Sequence, residues 1–410
     1  MKKIILGLVI VLLIGFNVQA FDTSNGETNV QNQIKIENSN DDSVQDDKYN
    51  KIQNKQSESE KEQIEKFYDY ISNMKTKNEV LNDIDVRDYV KSFLKTGSGN
   101  TSLKKIIRAL AMYGVREVAA SLKLLVLLIV ISLICALLTN LQRAFNGEEL
   151  SNIAYFACYS LIIIIMARSF YISVDIARST IKEMTDFMVA LIPILITLVA
   201  AVGGFVEASI MDPIVIGAIT ISANLFMNVI IPIISMSFVL QFVNNLSSEY
   251  KIDKLTKLLN QVALWAQGII MTVFIGIITV RGITSKTIDE VTAKTAKFAV
   301  DNFVPIVGKS LSDAISTVAG YSILLKNALS SLGLVIIVAI LLFPVIKLLI
   351  IVVAYKLTAA LIEPISDGRL VNCINSAGSS IVLIMACLIC VSVMFFIMIC
   401  IIAAAGKITM

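Results

Sequence analysis

The stretch LGLVIIVAILLFPVIKLLIIVVAY, residues 332–355, decides the fold class of this chain. It carries one charge, Lys347, and exceeds the about 20 apolar residues that a helix needs to cross the hydrocarbon core of a bilayer. Further apolar stretches lie at 124–141, 153–172, 187–206, 214–243, 262–280 and 379–405. The sequence therefore predicts an all-α polytopic membrane protein with about seven transmembrane helices.

The composition excludes several classes of protein. Of the 410 residues, 56% are hydrophobic and 16% are charged, whereas an ordinary soluble domain has about 25% charged residues. A net charge of +3 gives no concentrated basic surface, so we expect no nucleic-acid partner. The chain has no histidine, which removes the commonest general base and the commonest metal ligand. We therefore expect no enzyme, no cofactor and no metal.

The N-terminal third divides into segments that differ in composition. Residues 1–20 have two lysines, a short apolar run and a small final residue, Ala20, which is typical of a signal peptide; an uncleaved anchor is the alternative. Residues 21–62 are polar and predict a disordered tether. Residues 63–120 carry apolar residues at helical spacing, which predicts exported amphipathic helices. The multi-pass membrane domain is then 121–410.

Two features of the membrane domain complicate this simple topology. In residues 298–329, Asp301, Lys309, Asp313 and Lys326 interrupt the apolar residues, which favours a re-entrant or interfacial helical hairpin over a span. An exported N-terminus also places more Lys and Arg outside than inside, opposite to the usual distribution. The sequence leaves the orientation open.

A recurring pattern of two apolar residues followed by proline marks the candidate functional positions. It occurs at Pro193, Pro232, Pro305 and Pro344, where kinked or broken helices with freed carbonyls would line a path through the bundle. Kinked packing alone is the equally weighted alternative. Other candidate path-lining or hinge residues are Gly203, Gly204, Asn228, Asn244, Asn245, Gly308 and Lys347.

The amide groups and Lys347 each have a structural explanation as well. Seven Asn and Gln residues within or near two spans should face the bundle interior or a hydrated cavity, and interhelical hydrogen bonds are the simpler reading. They are Asn224, Asn228, Gln241, Asn244, Asn245, Gln261 and Gln267. Lys347 either extends to the nearer interface or lines a hydrated path.

Two short motifs resemble functional sites but lack residues that those sites require. Gly308-Lys309-Ser310 resembles the end of a phosphate-binding loop, but Phe303 stands where that loop requires glycine. Cys387 and Cys390 have the spacing of a zinc or redox pair, but they lie in an apolar helix without a second ligand pair. We predict packing or lipid-facing thiols and no nucleotide site.

From Glu117 onward the chain resembles the stage III sporulation protein AE family of endospore-forming bacteria. No single motif is specific, but the ordered set covers about three quarters of the chain. Its segments are 138–145, 151–155, 186–195 running on to 204, 240–247, 297–298, 303–313 and 361–365. The last of these adds Glu363 and Pro364 to the candidate path-lining or hinge residues.

The resemblance implies a place in a mother-cell complex that spans the membranes around the forespore. It implies a polytopic subunit of a channel or secretion-like apparatus, required for late forespore development, in the mother-cell membrane with its N-terminal segment extracytoplasmic. The implied partners are other stage III subunits in a hetero-oligomer, including a separate ATPase and ring-forming subunits. A secondary transporter is the alternative, and an intramembrane enzyme is a third hypothesis that the missing histidine disfavours.

Overall fold

The computed structural model describes residues 65, 67–73, 86–96, 103–144, 148–201, 205–246, 252–303, 308–366 and 368–405. Within these ranges the chain is helical apart from short turns, and no strand is present. The all-helical class is therefore confirmed for the described part. The predicted signal peptide and tether, residues 1–62, lie outside it.

Long helices dominate the described residues. In chain order they are α1 (67–73), α2 (Val86–Thr96), α3 (Leu103–Ala144), α4 (Glu148–Ala201), α5 (Phe205–Leu225), a π-helical turn π1 (Phe226–Ile230), α6 (Ile231–Leu246), α7 (Asp253–Phe303), α8 (Gly308–Ile362) and α9 (Gly368–Ala404). Five segments among them are long and apolar enough to cross a membrane: Tyr159–Ala201, Pro213–Asn244, Asp253–Arg281, Gly320–Ile362 and Gly368–Ala404. A shorter apolar segment, Leu125–Leu137, lies in α3. Several spans are thus confirmed, but the count of seven is not.

The second and third predicted spans belong to one uninterrupted helix, α4. The sequence placed a break between them because residues 173–186 carry several charges. The helix continues because its other face stays buried: Ser173, Ala177, Ile181 and Met184 follow one another at spacings of three and four. Charges on one face therefore do not end a helix whose opposite face packs.

The separate hairpin predicted for residues 298–329 is not confirmed. Its first arm is the end of α7, which runs to Phe303, and its second arm is the beginning of α8, which starts at Gly308. The boundary expected at residue 120 likewise falls inside a helix, α3. Both segments are continuations of long helices.

Helix α9 occupies the centre of the bundle. It packs against α4, α6, α7 and α8, and most of its apolar segment is buried. Cys373, Ser380 and Cys387 follow one another at intervals of seven on its buried face. Helix α7, in contrast, is peripheral and exposes Trp265 and Ile269.

Helices α4 and α8 run antiparallel with a well-defined register. Leu191 of α4 lies against Gly333 of α8, where an added Cβ would stand 2.6 Å from the Leu191 Cδ2 atom. Nearer the other end of the pair, Tyr355 lies beside Ser169. Residues 169–191 of α4 therefore run alongside residues 333–355 of α8, the apolar stretch that predicted the fold class.

Candidate functional site

A π-helical turn, π1, lies directly before α6 and Pro232, where the sequence predicted a kink. The Ile231 N–H donates to the carbonyl of Phe226, five residues earlier. In the same register the next donor would be the N–H of residue 232, which proline lacks, so the Met227 carbonyl is left without it. The Arg178 guanidinium of α4 donates to that carbonyl at 3.3 Å. A freed carbonyl was predicted here, and an arginine satisfies it.

Lys347 forms an ion pair that neither reading of the sequence contained. Its Nζ lies 3.5 Å from Oε1 of Glu117 on α3, and the side chains are 34% and 16% exposed. Because the partners are far apart in sequence, no spacing rule connects them. The pair places a carboxylate beside the most apolar part of α8.

Polar side chains connect α9 to the surrounding helices. The Tyr159 hydroxyl donates to the Phe242 carbonyl at 3.0 Å and lies 3.3 Å from the Cys373 Sγ. The Ser380 hydroxyl donates to Gln241 Oε1 at 3.3 Å. These groups are buried, so each bond removes an otherwise costly unsatisfied polar atom. They are structural hydrogen bonds between helices, as the simpler reading expected.

Gln267 of α7 is buried and only partly satisfied. Its Oε1 lies 4.0 Å from the Cys390 Sγ, and its Nε2 has no hydrogen-bond partner. Asn260, two turns earlier, likewise has an unpaired buried Oδ1 atom. The inner face of α7 therefore carries two buried polar atoms without a hydrogen-bond partner.

The two apolar stripes before the membrane domain find their partner surface within the chain. The Phe67 ring of α1 lies 6.1 Å from the Phe187 ring of α4, and the hydroxyls of Tyr89 of α2 and Ser331 of α8 are 2.9 Å apart. Burial, with a smaller contribution from Asp186 and Glu183, raises the pKa of Tyr70 to about 12. Helices α1 and α2 therefore rest on α4 and α8 at one end of the antiparallel pair.

A buried lysine holds the end of α9. Lys326 of α8 is fully buried, and its Nζ donates to the carbonyl of Ala405, which directly follows α9. A cation at a helix C-terminus is favourable because the last carbonyls carry partial negative charge. The sequence treated Lys326 as an interruption of an apolar segment, whereas it caps the central helix.

The predicted interior position of the amides is confirmed for Gln241 and Gln267. Asn224, Asn228 and Gln261 are exposed on the surface of the single chain and do not face the bundle interior, so the alternative position beside a hydrated cavity stays a prediction for them. Asn244 is partly buried, and its Oδ1 accepts the Ile252 N–H at 2.8 Å. Asn245 lies in α6, but its side chain is outside the described residues.

Those remaining candidate positions that the structure describes are not gathered at one site. Pro193 and Pro344 lie within α4 and α8, which continue through them, and Thr197 Oγ1 donates to the Pro193 carbonyl at 2.8 Å. Gly308 begins α8, and Glu363 and Pro364 are exposed in the turn before α9. Gly203, Gly204 and Pro305 lie outside the described residues.

Cys387 and Cys390 lie on the central helix, α9. Cys387 is buried and Cys390 is partly buried. Among the described residues, no three His, Cys, Asp or Glu side chains come close enough to hold a metal ion. The arrangement fits the packing role predicted for these thiols.

The sequence reasoning missed Arg178, Glu117 and Tyr159. Arg178 was assigned to a connection between two spans, and Glu117 to the segment before the membrane domain. A signal for Arg178 was present in the sequence. Pro232 has no N–H, so a backbone carbonyl in the preceding turn needs a hydrogen-bond donor from another residue. The partners of Glu117 and Tyr159 depend on tertiary packing and have no local signal.

Long apolar helices packed around a central helix define the class: this chain is a polytopic helical membrane protein. A family model described as Stage III sporulation protein AE matches residues 84–406. The Stage III sporulation protein AE of Bacillus subtilis (strain 168) is 37% identical over 314 residues, which are 77% of this chain and 79% of that protein. No solved structure gives a significant match. The chain belongs to the stage III sporulation protein AE family.

Proposed function

We propose that this protein is the polytopic membrane subunit of a sporulation-specific channel or secretion-like complex that links mother cell and forespore. The family match over residues 84–406 carries the proposal, because it joins a sporulation protein to a chain with several membrane-spanning helices. In this role the protein sits in the mother-cell membrane facing the forespore. It is required for late forespore development.

The N-terminal helices link the predicted export of the chain to one end of the bundle. If residues 1–20 export the chain, α1 and α2 are extracytoplasmic, and their contacts with Phe187 and Ser331 mark the extracytoplasmic end of α4 and α8. Surfaces at that end then face the space between the two membranes. Ring-forming subunits of the complex would meet the protein there.

A separate ATPase supplies energy in this proposal. The loop-like sequence Gly308-Lys309-Ser310 begins a helix, lacks the glycine that a phosphate-binding loop requires, and follows a helix rather than a strand. The protein acts as a non-catalytic subunit of a hetero-oligomer. The candidate path-lining or hinge residues, with Lys347 beside Glu117 among them, remain part of this proposal.

Expression in one compartment tests the function. The gene is placed under a promoter active only in the mother cell or only in the forespore, in a strain that lacks its own copy. We expect mother-cell expression to restore a late forespore reporter and spore counts, and forespore expression to restore neither. Restoration from the forespore alone would contradict the proposal. The Lys309→Ala variant, expressed in the mother cell, serves as a matched control with normal spore counts.

One observation favours a secondary transporter as the second candidate. Transporters use intramembrane carboxylates for ion coupling, and Glu117 pairs with Lys347 beside the apolar segment of α8. Purified protein in proteoliposomes distinguishes the two functions. A transporter moves solute across the vesicle membrane without any other subunit, whereas the channel subunit requires its complex.

A further inference from the structure

A charged stripe runs along the outer face of α4. We define it as Arg168, Asp175, Arg178, Lys182 and Asp186, which follow one another at spacings of three, four or seven and are all exposed. The opposite face of the same turns is buried in the bundle. The charged stripe is therefore a polar surface, interrupted by the exposed Tyr171, on a helix whose other face is packed.

The register of α4 against α8 sets the depth of the charged stripe. Leu191 faces Gly333 and Ser169 lies beside Tyr355, so Asp175 and Lys182 are level with the middle of residues 333–355. Those α8 residues contain one charge, Lys347, and form the core of a membrane-spanning segment. The charged stripe consequently lies at the depth of the hydrocarbon core.

Lipid is an unfavourable neighbour for such a surface. Each Asp, Lys or Arg at the centre of a membrane helix is costly to insert into lipid, and the charged stripe carries several of them at this depth. Asp175 and Lys182 form no ion pair with another described residue that would reduce this cost.

The neighbouring helix extends the polar surface. Arg178 binds the Met227 carbonyl of π1, and the exposed amides of Asn224 and Asn228 lie on the same segment, one turn apart. Charges on α4 and exposed amides on the neighbouring segment therefore lie near one another around the contact between Arg178 and Met227. Their shared requirement is water.

We infer that the charged stripe of α4, with Asn224 and Asn228, forms one wall of a water-filled path at membrane depth. The path is completed by other subunits, because the wall lies on the outside of the single chain. The inference rests on the proposed function and names the surface of this subunit that meets the path. Water and small hydrated ions are its occupants.

Thiol labelling in native membranes tests the inference. Asp175→Cys and Lys182→Cys variants of the full chain are produced in sporulating cells, and the membranes are treated with a charged, membrane-impermeant maleimide. The matched control is Leu349→Cys on α8, because Leu349 is exposed, apolar and level with Asp175. Peptide mass spectrometry reads each added cysteine separately from the six native ones.

The expected result is a difference between the two helices. Since the thiolate is the reacting form and apolar surroundings suppress it, the α4 cysteines should react at least about tenfold faster than the Leu349→Cys variant. Unreactive α4 cysteines would overturn the inference, because the stripe would then face protein or lipid. Equal rates at all three positions would also overturn it, since the stripe would then lie outside the bilayer.

The labelling result is independent of the sporulation phenotype. Reactive α4 cysteines in a protein whose loss from the mother cell has no effect would refute the proposed function and support the hydrated wall. Unreactive cysteines in a protein that is required in the mother cell would refute the hydrated wall and support the proposed function. The two proposals therefore fail separately.

Discussion

Lys347 Nζ of α8 lies 3.5 Å from Oε1 of Glu117 on α3, and this contact neutralises both charges beside the apolar core of the bundle. A lysine that was expected to extend toward the membrane surface or to line a path has a partner from a different helix. The pair also fixes the level of α3 relative to α8. Removing the ion pair therefore tests how α3 packs against α8.

Breaking the pair on one side should destabilise the protein. We expect Lys347→Leu to lower stability by up to about 3 kcal/mol, less than for a fully buried pair because Lys347 is 34% exposed. The thermal unfolding midpoint in detergent and the protein level in membranes measure this. The double variant Lys347→Leu/Glu117→Leu should recover both values, because no unpaired carboxylate remains. Equal instability of the single and double variants would show that the ion pair does not stabilise the fold.

The contact between Arg178 and the π-helical turn predicts a rescue. Arg178→Met leaves the Met227 carbonyl without its donor and should cost about 1 kcal/mol. Pro232→Ala restores an N–H in the register that reaches this carbonyl, so adding it to Arg178→Met should recover the loss. The same thermal midpoint measures the effect. If the second change adds to the loss, the guanidinium does not replace the missing donor.

The α4–α8 crossing predicts intolerance of a single methyl group. Gly333→Ala places a Cβ 2.6 Å from Leu191 Cδ2 in a buried site and should destabilise the protein by about 1–3 kcal/mol. Gly320→Ala, on the same helix with nothing within 4 Å of the new atom, is the matched control and should be tolerated. Protein levels in membranes and the unfolding midpoint report the difference. Equal stability of the two variants would show that α4 and α8 do not cross closely at Gly333.

Docking of α1 predicts a change in protease protection. Phe67 is 2% exposed against Phe187, and removing a buried phenylalanine ring costs about 3–5 kcal/mol. Phe67→Ala should therefore release α1, and limited proteolysis of the protein in membranes should cut near residues 67–73 faster. Asp69→Ala, which alters an exposed residue of the same helix, should leave the cleavage rate unchanged. An unchanged rate in Phe67→Ala would exclude the docked arrangement.

The sequence predicted those features that local periodicity encodes. Apolar length gave the helical membrane class, and apolar residues at helical spacing gave the buried faces of α1 and α2, including Phe67 and Tyr89. The prediction failed at α4, because the charged residues from Asp175 to Asp186 are typical of a loop between two spans. Only the apolar residues at helical spacing on the opposite face indicate that the helix continues.

The candidate site was harder to predict for a different reason. Its contacts join residues separated by long stretches of chain, such as Lys347 with Glu117 and Tyr159 with Cys373. No spacing rule relates such pairs, since the register between helices sets them. Only proline gave a local signal, because a missing N–H at residue 232 requires a donor from elsewhere.

The central position of α9 has a consequence for how the protein is made. This helix is the last of the described helices to leave the ribosome, although α4, α6, α7 and α8 all pack against it. Those four helices must therefore enter the membrane before α9. Their inward faces have no packing partner until α9 is inserted. Lys326 can bind the Ala405 carbonyl only after α9 is in place. Quality control of a nascent chain therefore has to tolerate an open bundle until α9 has been made.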